Sequence, residues 1–595
     1  MLQSNRKVGQ MTDNNFCTEE GTFLIPVSKL QKKLDARWEG AVSAHEADGV
    51  LTLSGYLPTW SEVVAAGQMC ADKKSRRMLV NDIACGEAQP AMRAPQKSDD
   101  ALEGAAPDVL IVGAGVVGCA IARELTRKKL NVLLVDKEHD VALGASSRND
   151  GMVHPGIDLH PWQKKQKYCL RGNAMFAQVC RDLQVSYRQT GQLLGFRQKW
   201  ARPFLHIAPL YWRVLGIPCY YASQKQLHET EPEIAADIAC ALRFPTAGIV
   251  CPYGLTIAYA ENAVQNGARI SLDTAVLGME CAAGRITAVH TNRGTLHPRV
   301  VVNAAGVFSD EIARMAGDRF YSVHPRRGTN AILDKKAAHQ VRTIASLLGT
   351  VAVESSHSKG GGLVSTVDGN LLVGPDAVET PERENYATSA QSVRATFQKQ
   401  RQTSPQLTER DIITYFTGVR AATYEEDFVV EKGRRTRNLV HVAGIQSPGL
   451  TAAPALGVDA AEMAEDLLRA QGIPILLNPT FEPSRKAIPR TASLPDAARD
   501  ALIRDDPDFG IIVCRCEEVS RGEIKAALHR PVPCDTVDGV KRRVRPGMGR
   551  CQGGFCGPLV TAIIAEELGV APETVKKSGE GSELNTTRTK GGSAQ

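Results

Sequence analysis

The clearest hydrophobic pattern is the apolar run Val109-Leu-Ile-Val112, which passes into Gly113-Ala-Gly-Val-Val-Gly118 and then into a helix-like segment, Cys119 to Leu130. A second strand, Asn131-Val-Leu-Leu-Val-Asp136, follows. Much later, Val300-Val-Val-Asn-Ala-Ala-Gly306 and Leu439-Val-His-Val-Ala-Gly444 read as strands ending in small residues, the latter running into a helix over 453–468. One α/β cradle is thus expected from distant pieces within 108–471, with strand-rich stretches at about 190–250 and 320–425 forming a substrate-facing layer. Phe204 to Tyr221 is aromatic-rich and reads as core or interface packing.

Upstream, residues 22–85 read as a small α+β unit. Leu30, Leu34 and Trp38 make a helical stripe behind the capping pattern Ser28-x-x-Gln31, residues 49–56 alternate like a strand, Thr59-x-x-Glu62 starts a second helix, and residues 78–83 form another strand. Residues 86–107 lack periodicity and read as a solvated linker. Residues 472–508, punctuated by prolines but apolar, read as an ordered strap. A small helical unit is expected over 509–572, with an N-terminal tail at 1–21 and a disordered tail at 573–595.

A chain of 595 residues needs several cores, and a net charge of +6 spread over that length is no nucleic-acid signature. Fifteen cysteines, an odd number, argue against a disulfide framework. No window is apolar enough for a membrane span. A cytoplasmic protein is expected, with peripheral attachment at the inner face of a membrane left open.

Two constellations carry chemistry. In the glycine turn, Gly113 permits the bend, Gly115 the approach of a pyrophosphate and Gly118 close helix–strand packing, while Asp136 stands where a carboxylate accepts from ribose hydroxyls. Near the C-terminus, Cys514-Arg-Cys516 and Cys551-Gln-Gly-Gly-Phe-Cys556 form a C-x-C and C-x4-C thiolate set among glycines whose amides can bond sulfides; zinc is the inorganic alternative. The nearby Lys541, Arg542, Arg543 and Arg545 would offset cluster charge, dock an acidic partner, or simply be solvated.

Further motifs extend this. Ser146-Ser-Arg-Asn-Asp-Gly-Met-Val-His154, Gly248-Ile-Val-Cys-Pro-Tyr253, His324-Pro-Arg-Arg-Gly328, Gly369-Asn-Leu-Leu-Val-Gly-Pro375 and Ser447-Pro-Gly-Leu-Thr-Ala-Ala-Pro454 occur in an order that resembles the FAD-dependent D-amino-acid-oxidase-like superfamily, especially its glycerol-3-phosphate dehydrogenase branch, which includes the anaerobic A subunit. The C-terminal cysteines resemble the bacterioferritin-associated-ferredoxin-like (BFD-like) [2Fe-2S] domain, and residues 22–85 resemble a BON domain, a docking or lipid-associating module.

The resemblance implies a Rossmann-like (GR2/DAO-type) FAD domain with an interleaved β-rich layer, a BON-like domain in front and a helical [2Fe-2S] domain behind. It implies FAD contacts from Gly113, Gly115, Gly118, Asp136, Lys137, Ser146, Ser147, Asn149, Gly151, Val276, Ala305, Gly306, Gly449, Leu450 and Thr451, and cluster ligation by Cys514, Cys516, Cys551 and Cys556. His154 is the candidate base or flavin contact; Arg327 and Arg420 are the candidate anion-binding cations, with Lys359 and Arg326 weaker. The expected activity is oxidation of a small anionic alcohol, foremost sn-glycerol 3-phosphate, with electrons passing through the cluster to a partner protein or quinone. Asn149-x-Gly151-x-x-His154 also resembles L-2-hydroxyglutarate dehydrogenases, which keeps a 2-hydroxy-acid or amino-acid substrate open, as is a role as an electron-transfer component of a larger redox complex.

Overall fold

The computed structural model describes residues 24–73, 77–87, 89–348 and 361–585. Its centre is a six-stranded sheet in the order Arg269–Ser271, Val132–Val135, Val109–Val112, Val300–Asn303, Leu439–Ala443, Val429–Lys432. All neighbours are parallel except the last pair. The inner strands are buried on both faces, which is why they are continuous Val/Leu/Ile runs. Helices Val116–Leu125, Lys164–Asp182, Pro252–Gln265 and Gly449–Arg469 pack together on one face. The three-stranded meander Val276–Ala282, Arg285–Thr291, Gly294–Leu296 covers the other.

The interleaved layer is a sheet of nine strands among the described residues. It runs from Val378–Glu379 through Val323–Leu333, Leu371–Gly374, Gly362–Ser365, Ile344–Leu347, Gln192–Phe196 and Cys240–Phe244 to the edge strand Tyr220–Ser223; Ile412–Thr423 lies along Val323–Leu333.

The N-terminal unit has helices Val27–Trp38 and Trp60–Cys70 and strands Val42–Ala47, Val50–Leu57 and Met78–Cys85. Thr59 and Glu62 form a reciprocal capping box. Ser28 does not cap: the helix starts behind Pro26, two residues earlier than that pattern places it, and Gln31 instead bonds Val42 and Ala44 of the adjoining strand. The unit is seated on the rest of the chain. Tyr424 inserts into its core at Gly67, where a Cβ would lie 2.2 Å from the ring, and the Tyr424 hydroxyl accepts from Asn81 Nδ2 at 2.9 Å. Glu425 Oε1 accepts from Leu79 N at 2.7 Å.

The linker 86–107 differs from the expected free coil. Arg93 pairs with Glu138 at 2.6 Å, Arg293 holds Asp99, and Asn292 donates to the Lys97 carbonyl; the linker stays largely exposed, as expected, but is pinned to the domain at these points. The strap 472–508 runs along the FAD-side helices, its Leu476 carbonyl accepting from Lys129 N and Arg485 reaching Glu261. Beyond it, helices Arg521–Leu528, Val537–Val544 and Gly557–Leu568 enclose the C-terminal core. The tail expected without order is fixed over 573–585: Val575 is buried in that core and Ser578 reaches His139.

Candidate functional site

The glycine turn leaves strand Val109–Val112 and starts helix Val116–Leu125 at Gly115, about a turn earlier than the apolar pattern suggests. A Cβ on Gly118 would lie 1.9 Å from the Gly113 carbonyl, so only glycine lets helix and strand approach this closely. Gly115 brings no side-chain cap, and Ser146 Oγ accepts from Val116 N at 2.9 Å, so Ser146 stands at the amide end where a pyrophosphate would be bound. Asp136 Oδ2 accepts from Ala114 N at 2.6 Å and Oδ1 from Glu138 N at 2.9 Å. Burial pushes its carboxyl up to about 6 despite those amides. Ala304 and Ala305 pack against Gly113, with Gly306 following at positive φ. Val276 lies just beyond Thr274, whose N–H bonds the Asp136 carbonyl. Lys137 is engaged by Glu138 and Glu384. The cradle, its carboxylate and its small-residue wall are those an ADP moiety requires.

The loop 145–151 is folded by Asn149, which donates to the Ala145 and Ser146 carbonyls and accepts from Gly151 N. Ser147 and Asn149 line a cavity of about 1130 Å³. Downstream, His154 is buried, and its N–H donates to Thr451 Oγ1 at 2.8 Å, joining this loop to the first turn of helix Gly449–Arg469, where Gly449 and Leu450 also lie. Gly156 N donates to His154 Nδ1 at 3.0 Å, so a neutral ring carries its proton on Nε2.

The three arginines separate. Arg326 lies opposite Arg420 in the antiparallel ladder, so the two share one face, and strand alternation turns Arg327 to the other. The shared face packs on loop 145–151, the candidate cofactor loop, since a Cβ on Gly418 would lie 2.5 Å from the Arg148 carbonyl. Arg327 therefore does not join Arg420, contrary to the expectation. Arg326 is buried between Glu379 and Glu426, both at 2.7 Å; burial would raise Glu426, but Arg326 and the Gln446 amide hold it down to about 2. Arg420 donates to the Asp376 carbonyl at 2.9 Å and has no ion pair among the described residues. Burial, reinforced by neighbouring Arg326, lowers its pKa, against the opposing pull of the Asp150, Asp376 and Glu379 carboxylates nearby. Lys359 lies outside the described residues.

The four C-terminal cysteines fall into two pairs. Cys516 and Cys551 sulfurs are 3.6 Å apart, close to the ~3.8 Å of two thiolates on one tetrahedral metal with ~2.3 Å bonds. Cys514 and Cys556 are hydrogen-bonded to each other, and amides of Gly547, Glu517 and Cys516 point at Cys514. Two cysteine pairs amid backbone amides are the donor set that a dinuclear cluster with four thiolate ligands takes. Ser520 and Glu523 cap the helix that follows the first pair.

The basic run, whose role the sequence leaves open, turns inward. Arg543 holds Asp140 bidentately at 2.9 and 3.0 Å and Arg542 adds a contact at 3.1 Å. Arg545 reaches Glu517, Asp368 and the Tyr253 hydroxyl, which itself donates to Met548 Sδ at 3.2 Å. Met548 and Gln552, either side of Cys551, line the same cavity as Asn149, together with Lys97 of the linker and Ser578 of the tail. The cofactor loop and the cysteine loop thus face one space. Sequence reasoning missed Asp140, Tyr253 and Met548 in this role; only the unbalanced basic run hinted that acids lay elsewhere.

A family profile described as FAD dependent oxidoreductase matches residues 108–463, and one described as BFD-like [2Fe-2S] binding domain matches 512–566. The chain is 38% identical to a glycerol 3-phosphate dehydrogenase of Caloramator mitchellensis over 81% of this chain and 99% of that protein. It is 27% identical to a glycerol 3-phosphate oxidase of Mycoplasma pneumoniae, over 59% and 92%. A structure of dithionite-reduced L-α-glycerophosphate oxidase from Mycoplasma pneumoniae with FAD bound superimposes with a TM-score of 0.58 at 24% identity, covering 64% of this chain and 98% of that one. The chain is a member of the FAD dependent oxidoreductase family carrying a C-terminal BFD-like [2Fe-2S] domain.

Proposed function

We propose that the protein oxidises sn-glycerol 3-phosphate to dihydroxyacetone phosphate and hands the electrons to a further protein or quinone. Support comes from Arg420, a guanidinium without an ion pair among the described residues on the sheet face that packs on loop 145–151, and from the names of the relatives. When bound, the flavin supplies a two-electron acceptor and the cluster a one-electron relay. Arg420 holds the substrate phosphate, its planar fork matching two oxygens. His154 accepts at Nδ1 from Gly156, which makes it a hydrogen-bond donor rather than a base in the role this reading gives it beside the substrate hydroxyl or the flavin edge. Acting as base at Nε2 would require the other tautomer and loss of the Gly156 bond. Thr451 holds the His154 backbone in place.

Anaerobic addition of substrate to the holoenzyme tests this. Flavin bleaching by glycerol 3-phosphate, and not by L-2-hydroxyglutarate or amino acids, is expected; bleaching by a carboxylate substrate alone, or by none, would overturn the assignment. Replacing His154 by Asn should slow bleaching without changing its pH profile if His154 is a donor, and should remove a pH limb if it is the base.

A further inference from the structure

Residues Phe204 to Tyr221 pack only in part as core: Leu205, Ile217 and Cys219 are buried, with Trp212 and Tyr221 against them. The helix Arg202–Val214 buries Leu205 and Pro209 and sets Trp212 against Phe244 at 5.6 Å, which seats it on the edge of the nine-stranded sheet. Its opposite side is equally apolar and faces outward. Trp200, in the preceding turn, is 73% exposed, Phe204 68%, Ile207 64% and Val214 86%, with Leu210 and Tyr211 exposed between them. The spacing 200, 204, 207, 211, 214 makes one continuous ridge. A helix apolar on both sides is ordinarily buried on both.

The charge around the ridge says what covers it. Between Asp182 and Glu229 the sequence contains no acidic residue, against six cations: Arg188, Arg197, Lys199, Arg202, Arg213 and Lys225. Lys199 and Arg213 flank the ridge at its two ends and are exposed, Arg213 lying over the Tyr220 ring at 5.2 Å. Two of these cations are paired with acids from the edge of that stretch or beyond, Arg197 with Asp237 and Lys225 with Glu229; Lys199 and Arg213 have no ion pair among the described residues. Aromatic and aliphatic side chains in a ridge, cations at its ends and no carboxylate along it are the composition of a helix lying in a bilayer interface. Among the described residues no helix is long and apolar enough to cross a membrane, so attachment would be at the surface.

We infer that the Trp200–Val214 ridge docks the protein on an anionic lipid surface, inserting its apolar side chains between headgroups while Lys199 and Arg213 meet the lipid phosphates. The module so engaged is the edge of the substrate layer, not the BON-like unit. The inference does not depend on which alcohol is oxidised.

The test is co-sedimentation of the full-length holoenzyme with phosphatidylcholine vesicles, with and without phosphatidylglycerol. Binding is expected with phosphatidylglycerol, weakening as salt rises. Phe204→Ser/Ile207→Ser/Val214→Ser should reduce it by at least about tenfold, and Lys199→Glu/Arg213→Glu should abolish the phosphatidylglycerol preference. Substrate-driven flavin bleaching should be unchanged in both variants, which shows that they are folded. Absence of wild-type binding, or equal binding by the triple serine variant, would overturn the inference. So would a dimer in solution that the serine variant loses, which would assign the ridge to a second copy of the chain.

Discussion

Asp140→Ala offers the sharpest test of how the two redox domains are held together. The Asp140 carboxylate is 3% exposed and faces Arg543, whose side chain is 2% exposed, and Arg542. Burial works against this carboxylate, yet the two guanidiniums hold its pKa below the ordinary value. Removing it leaves Arg543 with the carbonyls of Val532 and Gly539 and with no carboxylate in hydrogen-bond contact, Glu261 acting only from further off. Losing one partner of a buried pair costs about 3–5 kcal/mol, or roughly two to three and a half decades in the docking equilibrium. Strap cleavage by protease within 472–508 tracks the open population and should quicken by that factor. In anaerobic rapid mixing, flavin reduction by substrate should keep its rate while cluster reduction lags behind it. Asp140→Leu/Arg543→Met, which removes both charges, should restore protease resistance. Wild-type cleavage and undelayed cluster reduction in Asp140→Ala would refute the claim that this pair fastens the interface.

Asp136 titrates near 6 in the folded chain, above its ordinary value. Its ionised form accepts from ribose, so FAD affinity should hold above that pH and fall below it; Asp136→Asn should weaken binding about ten- to a hundredfold and flatten the dependence, as equilibrium dialysis would measure. The sign reverses for the stability of the empty fold, whose contribution from Asp136 is present below the ordinary carboxylate value and lost as pH rises through about 6. Burial likewise raises Glu425 to about 7, so the seat of the N-terminal unit should be firmest in acid and loosen through neutrality. Glu425→Gln should remove that dependence in thermal unfolding. Arg420→Met should raise KM about ten- to a hundredfold, whereas Arg327→Met, on the reverse face, should not; equal effects would contradict the ladder argument. Cys516→Ser should lower iron content and leave flavin content unchanged.

The cradle is legible in sequence because its constraints are local. Gly113 and Gly118 answer a contact five residues apart, and Asp136 ends the next strand. The cysteine set is legible because thiolates at such spacing have few uses. What fails is whatever depends on distant pairing. Arg326 and Arg327 look equivalent until the ladder puts Arg420 opposite the first. Asp140 meets Arg543 across 403 residues, and nothing near either one signals the other. The linker 86–107 has the composition of coil, yet Glu138 and Arg293 fix it from outside. The aromatic helix misleads because apolar content indicates burial without saying against what.

The strap and the inward-turned arginines also remove a variable from the kinetics. Because the cofactor loop and the cysteine loop face one cavity within a single chain, the transfer between them is unimolecular. Its rate is set by effective concentration, not by how much protein is present. Dilution, or scarcity of the external acceptor, would slow only the final exit of electrons, leaving the chain able to store what it has taken from its substrate.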